Sequence, residues 1–309
     1  MTQAYDIIGD IHGFTQPLEV LLAKLGYSEE DGVYQHSQGN KICFLGDFID
    51  RGPEQKRVIE IVRNMMDNGH AMSVMGNHEF NAICYATQLD DGTYLRKHNA
   101  RNNNSHKAFL DAYPFGSAEH ADVIEWFKTL PVYIDNDDFA AVHACWDERY
   151  LKVVQPLLDD NNCLTPDAYF GYAIKGSPIY KSIECLMKGP EFTLPGGATF
   201  QTHEGTSRSE SRIKWWKDPA GAITDRLFLP QDQIDAQSKA IINAGSLTET
   251  FNGHAEDKPV FIGHYWLTGT PKLLAENIAC LDYSVPQSGH QVAYSYRGEG
   301  KLTAKNFIV

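Results

Sequence analysis

Residue types that bind metal ions follow glycine at the ends of several short apolar runs in this chain. In α/β sheets, ligands bind at the carboxyl ends of the strands. A glycine at that point lets the backbone turn sharply and come close to an ion. The pattern therefore predicts one shared site at a sheet edge. Its members are Asp10 and His12 after Gly9, Asp47 after Gly46, Asn77 after Gly76, and His264 after Gly263.

The first 86 residues alternate predicted strands and helices. β-Branched and apolar runs predict strands at Tyr5–Gly9, Lys41–Gly46 and His70–Met75. Apolar residues at helical spacing predict helices at 17–25, 54–68 and 78–86. This order implies parallel strands joined by right-handed crossovers.

The rest of the chain is less regular. A polar, helical stretch is expected at 93–129, then strands at 132–135 and 139–143, the second ending in His143. Further strands, expected to be antiparallel, are predicted at 259–263, 278–284, 291–297 and 302–308. Residues 150–230 are rich in proline and glycine and predict an insertion or cap over the site, within a single domain of residues 1–309.

Charge and composition exclude several functions. The chain of 309 residues has 40 acidic and 27 basic residues, a formal charge of −13 that disfavours nucleic acid as a partner. No apolar run approaches the roughly 20 residues of a membrane helix, which predicts no membrane partner. The N-terminus lacks the pattern of a signal peptide, so a cytoplasmic location is expected. None of the cysteines forms a C-x-x-C pair, which excludes a zinc finger.

The mixture of carboxylate, imidazole and amide donors suits a first-row divalent metal such as Mn, Fe or Zn. Asp10 and His12 are two residues apart at one strand end and could reach the same ion. Two ions about 4 Å apart, as used in phosphoryl displacement, need a bridging carboxylate. Asp47 is the natural candidate.

Five motifs in a fixed order resemble the calcineurin-like metallophosphoesterases. They are D-x-H at Asp10, G-D-x-x-D-R-G at Gly46, G-N-H-E at Gly76, the strand residue His143, and G-H at Gly263. The intact D-R-G and G-N-H-E motifs point towards the phosphoprotein phosphatase branch. The resemblance spans residues 10–264 and implies an α/β sandwich of two mixed β-sheets flanked by helices.

The resemblance also implies roles for individual residues. One divalent metal, with Mn favoured, would be held by Asp10, His12 and Asp47, and a second by Asp47, Asn77, His143 and His264. His78 would be the general acid, held by Asp50, while a metal-bridging hydroxide attacks phosphorus. The substrate phosphate would be bound by Arg51, Asn77 and a second arginine. Arg212 and Arg226 both qualify for that position, and Arg212 is preferred.

The resemblance implies hydrolysis of phosphate monoesters, with a serine/threonine phosphoprotein as the preferred substrate. One departure weakens the substrate inference, because Tyr265-Trp266 replaces the Thr-Pro that usually follows G-H in this branch. The tail at Leu281–Val285 also resembles bacterial diadenosine-tetraphosphatase-like members, so hydrolysis of dinucleoside polyphosphates is the alternative. A non-catalytic module that binds a phosphorylated ligand is the third hypothesis.

Taken singly, each of these residues has a simpler interpretation as a turn, cap or core residue. The metal-site prediction depends on their joint occurrence at strand ends. The remaining histidines, including His106, His120, His203 and His254, show no ligand spacing and are predicted to be structural or exposed. Tryptophans Trp215 and Trp216 are predicted to be core or interface anchors, and Cys145 a packed thiol.

Overall fold

The computed structural model describes residues 3–201, 207–230, 234, 236–247 and 258–309. The predictions for His203 and His254 therefore lie outside the described residues. None of the helices in these ranges is long and apolar enough to cross a membrane.

Strands and short helices alternate through these ranges. The helices are α1 (Thr15–Leu25), α2 (Gln55–Asp67), α3 (Asn77–Ala86), α4 (Ala100–Ser105), α5 (Lys107–Ala112), α6 (Ala118–Lys128), α7 (Glu148–Val154), α8 (Pro166–Ala173), α9 (Pro178–Lys188), α10 (Ile223–Arg226) and α11 (Ala236–Asn243). The strands are β1 (Tyr5–Ile8), β2 (Tyr27–Glu30), β3 (Val33–His36), β4 (Lys41–Phe44), β5 (Ala71–Ser73), β6 (Tyr133–Asp135), β7 (Ala140–Val142), β8 (Glu191–Thr193), β9 (Phe200–Gln201), β10 (Ser207–Arg208), β11 (Glu210–Arg212), β12 (Val260–Ile262), β13 (Ile278–Cys280), β14 (Asp282–Tyr283), β15 (His290–Gln291), β16 (Ala293–Tyr296) and β17 (Phe307–Ile308).

Two mixed sheets form the centre of the fold. The first has the strand order β17-β16-β1-β4-β5, in which β1, β4 and β5 are parallel and β16 runs antiparallel to both of its neighbours, β1 and β17. The second has the order β13-β12-β7-β6, with β7, β12 and β13 parallel and β6 antiparallel. The predicted fold class, an α/β sandwich of two mixed sheets, is confirmed.

Alternation of side chains along the strands produces two apolar layers. Ile7 of β1 points between the sheets, where Phe261 of β12 packs 5.2 Å from Tyr294 of β16, measured between ring centroids. The next residue, Ile8, points to the opposite face and joins the layer under helix α1. The leucines of α1 that face this layer are Leu18, Leu21 and Leu22.

Sequence periodicity located the early elements to within a few residues, but two expectations were wrong. The stretch at 93–129 is helical as expected and is divided into α4, α5 and α6, with Pro114 and Gly116 separating α5 from α6. The late strands are not all antiparallel, since β12 pairs in parallel with both β7 and β13. The predicted strand at 302–308 is reduced to β17, because Ala304–Asn306 form a 3₁₀ turn.

The β2–β3 hairpin was not predicted, although its signal is present. Asp31 and Gly32 form the turn with φ values of 50° and 81°. An Asp-Gly pair tolerates these left-handed values and favours a tight hairpin. The charged sequence of β2 concealed its strand character.

Residues 150–230 contain more regular structure than their composition suggested. Helix α9 buries Ile183, Leu186 and Met187 in the main apolar cluster. Further along the chain, four short strands form two antiparallel pairs, β8 with β11 and β9 with β10.

Candidate metal centre

The ends of five strands bring the predicted ligands to one place. The first sheet supplies residues after β1, β4 and β5, and the second supplies residues after β7 and β12. All six side chains are at least nine-tenths buried, with exposures between 0% and 7%. They are Asp10, His12, Asp47, Asn77, His143 and His264.

The loops approach one another so closely that glycine is required between them. A Cβ atom on Gly46 would lie 2.3 Å from the backbone nitrogen of Gly76. A Cβ atom on Gly263 would lie 2.2 Å from a carboxylate oxygen of Asp10. These contacts explain in physical terms why glycine precedes the ligand-type residues.

Several non-glycine residues at the site also have left-handed backbone conformations, which are uncommon for side chains of any size. Strain of this kind persists where surrounding structure enforces it, and it concentrates at functional sites. The φ values are 52° at His12, 53° at Asp47, 70° at Asp50, 69° at Arg51 and 73° at His264.

Asp47 lies at the centre of the cluster. Its Oδ2 atom is 3.8 Å from Nε2 of His12, 3.4 Å from Nε2 of His143 and 3.9 Å from Nε2 of His78. Two groups of donor atoms that could each hold a metal ion share this carboxylate. One group is His12, Asp47 and His78, and the other is Asp47, His143 and His264.

Backbone carbonyls orient the imidazole rings. Nδ1 of His12 donates to the carbonyl of Ile49 at 2.9 Å, and Nδ1 of His143 donates to that of Leu45 at 2.6 Å. In each ring this leaves Nε2 facing Oδ2 of Asp47. Metal-binding histidines are held by outer hydrogen bonds in this way.

Buried nitrogen atoms without partners show that the donor set fits divalent cations. Nε2 of His12 and both ring nitrogens of His264 have no hydrogen-bond partner among the described residues. A buried polar atom that is left unpaired costs about 1–3 kcal/mol. A cation between the rings would satisfy these atoms.

Asp10 and Asn77 lie at the two ends of the cluster. Both carboxylate oxygens of Asp10 accept the backbone N–H of His264 at 3.2 Å, and Oδ2 is 3.9 Å from Nε2 of His12. Oδ1 of Asn77 is 3.3 Å from Nε2 of His143. The structure therefore brings all six predicted ligands together, with Asp10 beside His12 and Asn77 beside His143.

The acids of the site have opposite pKa shifts. Burial, with the nearby carboxylates of Asp282 and Asp47, raises the pKa of Asp10 well above its ordinary value. Burial also acts to raise the pKa of Asp47, but His143 and His78 outweigh it and hold that pKa well below the usual range. Asp47 is thus ionised and ready to bind a cation.

Two of the histidines are neutral near pH 7, as metal ligands must be. Burial lowers the pKa of His12 to about 4. Burial, and then the positive charge of Arg212, lowers the pKa of His264 well below its ordinary value.

His78 stands next to the metal-ligand cluster with its own carboxylate partner. Its Nδ1 lies 2.5 Å from Oδ2 of Asp50, and its backbone N–H donates to Oδ1 of Asp47 at 2.8 Å. Burial alone would lower the pKa of His78, but Asp47 and Asp50 together raise it. The ring is therefore suited to carry a proton near neutrality.

Arg51 lies at the exposed mouth of the site. Its guanidinium stacks over the indole of Trp266, 5.0 Å from the ring centroid. The backbone N–H of Trp266 donates to the buried carboxylate of Asp282 at 2.6 Å, which holds this loop beside His264.

Tyr265, which with Trp266 replaces the Thr-Pro usual in this branch, faces the segment predicted as a cap. The hydroxyl of Tyr265 accepts a hydrogen bond from Nε1 of Trp215 at 3.0 Å, and its ring stacks on Phe228 at 5.2 Å. Trp215 is 2% exposed, which agrees with its predicted role as an anchor. The Tyr-Trp pair thus links the loop of His264 to residues 215–228.

The two candidate arginines differ in their surroundings. The guanidinium of Arg226 is buried and donates to the carbonyl of Pro219 at 3.1 Å. That of Arg212 makes no hydrogen bond to another described residue, and burial lowers its pKa. The positive charge of Arg212 is among the causes that lower the pKa of His264.

Sequence reasoning missed three residues that hold the loops of the site. Glu79 accepts backbone N–H groups of Asp47, Phe48 and Gly76 at 2.8 to 3.1 Å. Gln55 binds the backbone of Asp50 and Gly52. Glu79 belongs to a motif and could have been found from it, whereas nothing in the local sequence marks Gln55.

His106 is the third missed residue. Its Nδ1 lies 2.8 Å from Oδ1 of Asp50, on the side opposite to His78. His106 was predicted to be structural or exposed because it has no ligand spacing, and a separation of 56 residues from Asp50 conceals the contact.

Solved structures share this fold at low sequence identity. The cold-active protein-tyrosine phosphatase of a Shewanella species has a TM-score of 0.51 and 14% identity, over 98% of this chain and 81% of that one. A protein serine/threonine phosphatase of Saccharomyces cerevisiae has a TM-score of 0.50 and 14% identity, over 99% and 78%. These likenesses establish the fold alone.

Curated relatives are more similar in sequence over shorter stretches. The asymmetrical bis(5'-nucleosyl)-tetraphosphatase PrpE of Oceanobacillus iheyensis is 35% identical over 129 residues, which is 42% of this chain and 50% of the relative. The match thus spans about half the length of that relative. The model of the calcineurin-like phosphoesterase family matches residues 5–160, just over half of the 309 residues. This chain belongs to the calcineurin-like phosphoesterase family.

Proposed function

We propose that this protein hydrolyses phosphate monoesters with two divalent metal ions bound at the strand ends. The observation that carries the proposal is the position of Asp47, which belongs to two donor groups at once. Members of a calcineurin-like phosphoesterase family use divalent metals, and a shared carboxylate is what a two-metal site requires.

We propose the ligand set that the family motifs imply. In the first donor group it takes Asp10, whose Oδ2 lies 3.9 Å from Nε2 of His12, in place of His78, whose ring is paired with Asp50. Asp10, His12 and Asp47 would hold one ion, and Asp47, Asn77, His143 and His264 the other. Manganese is the favoured metal, with iron or zinc as alternatives, because the donors are mixed oxygen and nitrogen. When bound, such ions activate water as a nucleophile and neutralise charge on the phosphoryl group.

The chain itself supplies the proton and the phosphate contacts. His78 would donate the proton on Nε2 to the leaving oxygen, because Nδ1 is engaged by Asp50 at 2.5 Å. Arg51, at the exposed mouth, would bind phosphoryl oxygens with its planar guanidinium. We assign the second phosphate contact to Arg212, whose positive charge lowers the pKa of His264, and a further contact to Asn77.

We further propose a serine/threonine phosphoprotein as the preferred substrate. The intact Asp50-Arg51-Gly52 and Asn77-His78-Glu79 motifs support this choice, because they supply the acid, its partner and the arginine. The exposure of Arg51 at the mouth of the site lets a large substrate reach it.

A second candidate is hydrolysis of bis(5'-nucleosyl) tetraphosphates. The observation that favours it is the name of the curated relatives, which share 35% identity with this chain over 129 residues in the case of Oceanobacillus iheyensis. The same metal centre would serve, since both reactions break a P–O bond.

The two candidates are separated by a substrate panel with manganese-loaded protein. We expect phosphate release from p-nitrophenyl phosphate and a phosphoserine peptide, and its loss after chelation. Hydrolysis of diadenosine tetraphosphate with an inert phosphopeptide would instead support the second candidate. Protein that binds manganese but hydrolyses none of these compounds would contradict both.

We also propose that residues 150–230 cap the site within a single domain of residues 1–309. The hydrogen bond from Trp215 to Tyr265 supports this, because it joins the segment to the loop of His264. A cytoplasmic location is proposed as well, supported by six free, buried cysteines that suit a reducing compartment.

A further inference from the structure

Asp50 is held from two sides by imidazole rings. Oδ2 lies 2.5 Å from Nδ1 of His78, and Oδ1 lies 2.8 Å from Nδ1 of His106. Both Asp50 and His106 are 2% exposed, so water does not compete for these contacts. Each carboxylate oxygen is therefore committed to a different histidine.

The position of His106 is fixed independently of Asp50. The residue joins α4 to α5, and its backbone N–H donates to the carbonyl of Asn102 at 3.0 Å. Its ring stacks on Phe109 with centroids 4.8 Å apart and tilts against Tyr85 at 5.4 Å. An imidazole packed in this way is a rigid donor.

The loop that carries Asp50 needs such support. Asp50 and Arg51 have φ values of 70° and 69°, in the left-handed region. Gln55 secures the backbone, accepting the N–H of Asp50 at 2.7 Å. The Asp50 side chain is secured by His106 alone on its Oδ1 side, among the residues that the structure describes.

We infer that His106 is a positioning residue, which fixes the Asp50 carboxylate so that it orients His78 towards the leaving group. The inference rests on the proposed function, in which the proton on Nε2 of His78 passes to the leaving oxygen as the P–O bond breaks. Without His106, the Asp50 carboxylate could rotate away from Nδ1 of His78. The proton would then be delivered from a poorly oriented ring.

The dependence of the rate on the leaving group distinguishes this role from general support of the fold. p-Nitrophenolate leaves readily as an anion, whereas the alkoxide of a phosphoserine peptide needs the proton. We expect His106→Ala to lower turnover of the phosphoserine peptide roughly 10-fold or more, and that of p-nitrophenyl phosphate much less, since acid catalysis contributes about 10²–10⁴-fold.

Two further variants control the experiment. His106→Asn keeps an amide nitrogen near the position of Nδ1, and we expect it to restore most of the lost turnover. His120→Asn is the matched control, because His120 is also buried and packs on Phe109 but is not hydrogen-bonded to Asp50. It should leave the ratio of the two rates unchanged.

A measurement that does not need activity separates this inference from the proposed function. In zinc-loaded protein with ¹⁵N-labelled histidine, the Nδ1 proton of His78 should give a downfield resonance in the wild type and in His120→Asn. It should be lost or shifted in His106→Ala. An unchanged resonance, or equal losses of turnover on both substrates, would overturn the role of His106 even if hydrolysis is confirmed. Failure of the wild type on both substrates would instead count against the proposed function.

Discussion

His78 lies between two carboxylates, and this determines what its imidazole can do. Asp47 accepts its backbone N–H, and Asp50 contacts its Nδ1, so Nε2 remains for the substrate. Asp47 and Asp50 raise the pKa of the ring against the effect of burial. A ring in this environment keeps its proton at a pH where an ordinary histidine begins to lose it.

Replacing His78 by asparagine tests the acid role at the scale of one residue. We expect turnover of a phosphoserine peptide to fall by roughly 10²–10⁴-fold, because the proton donor is lost. Metal content should be retained, since His78 is not a proposed ligand. Turnover within a factor of two of the wild type would remove His78 from the mechanism.

At the scale of elements, the Tyr265-Trp266 pair that replaces the usual Thr-Pro contacts two different parts of the chain. Tyr265 packs against the stretch of chain after Trp215, while Trp266 supports Arg51 at the mouth. One dipeptide therefore serves both sides of the site. This explains how the chain tolerates two bulky aromatic residues directly after the proposed ligand His264.

Substitution of Tyr265 by phenylalanine tests whether this link positions Arg212, the proposed phosphate-binding arginine, which lies three residues before Trp215. Loss of one buried hydrogen bond costs about 1 kcal/mol, and Trp215 retains its second contact, to the carbonyl of Ala144 at 3.1 Å. We expect KM to rise several-fold with metal content unchanged, because Arg212 shifts relative to His264.

Tyr169→Phe provides the control for that experiment. Tyr169 is buried, and its hydroxyl has no partner in the part of the chain that the structure describes. Its removal should leave KM unchanged. If Tyr265→Phe and Tyr169→Phe behave alike, the link between Tyr265 and the cap has no role in substrate binding.

At the element scale, the sequence predicted those helices and strands whose positions depend on local sequence pattern. Periodicity and proline located α1, α2 and α3, and the proposed ligands after β1, β4 and β5 follow directly from those elements. Pairing between distant strands is not encoded locally, so the parallel arrangement of β7, β12 and β13 was missed. His106 was missed for the same reason, since only tertiary folding brings it to Asp50.

For the whole molecule, the cluster of buried carboxylates leads us to expect that stability depends on metal and pH. In the metal-free protein, burial and then Asp282 and Asp47 raise the pKa of Asp10, and burial raises that of Glu79 to about 7. The stability that these raised pKa values contribute is fully present at a pH below the pKa values of the same groups in the unfolded chain. It is lost as the pH rises through their pKa values in the folded protein.

We therefore expect the melting temperatures of metal-loaded and chelated protein to diverge as pH rises from about 5 to 8, because protons compete with metal for the ligands. At a hundredfold excess over Kd, metal binding contributes about 2.7 kcal/mol. Scanning fluorimetry with and without chelator measures this difference. A gap that stays constant or narrows with rising pH would show that the buried acids do not bind the metal.

The metal content of Asp47→Asn, compared with the wild type, tests the central claim most directly. Asp47 is the one carboxylate shared by both donor groups in the described residues. After manganese loading and removal of free metal, elemental analysis should find two ions per chain in the wild type and at most one in the variant. Equal metal content in the two proteins, or none in the wild type, would contradict the shared site.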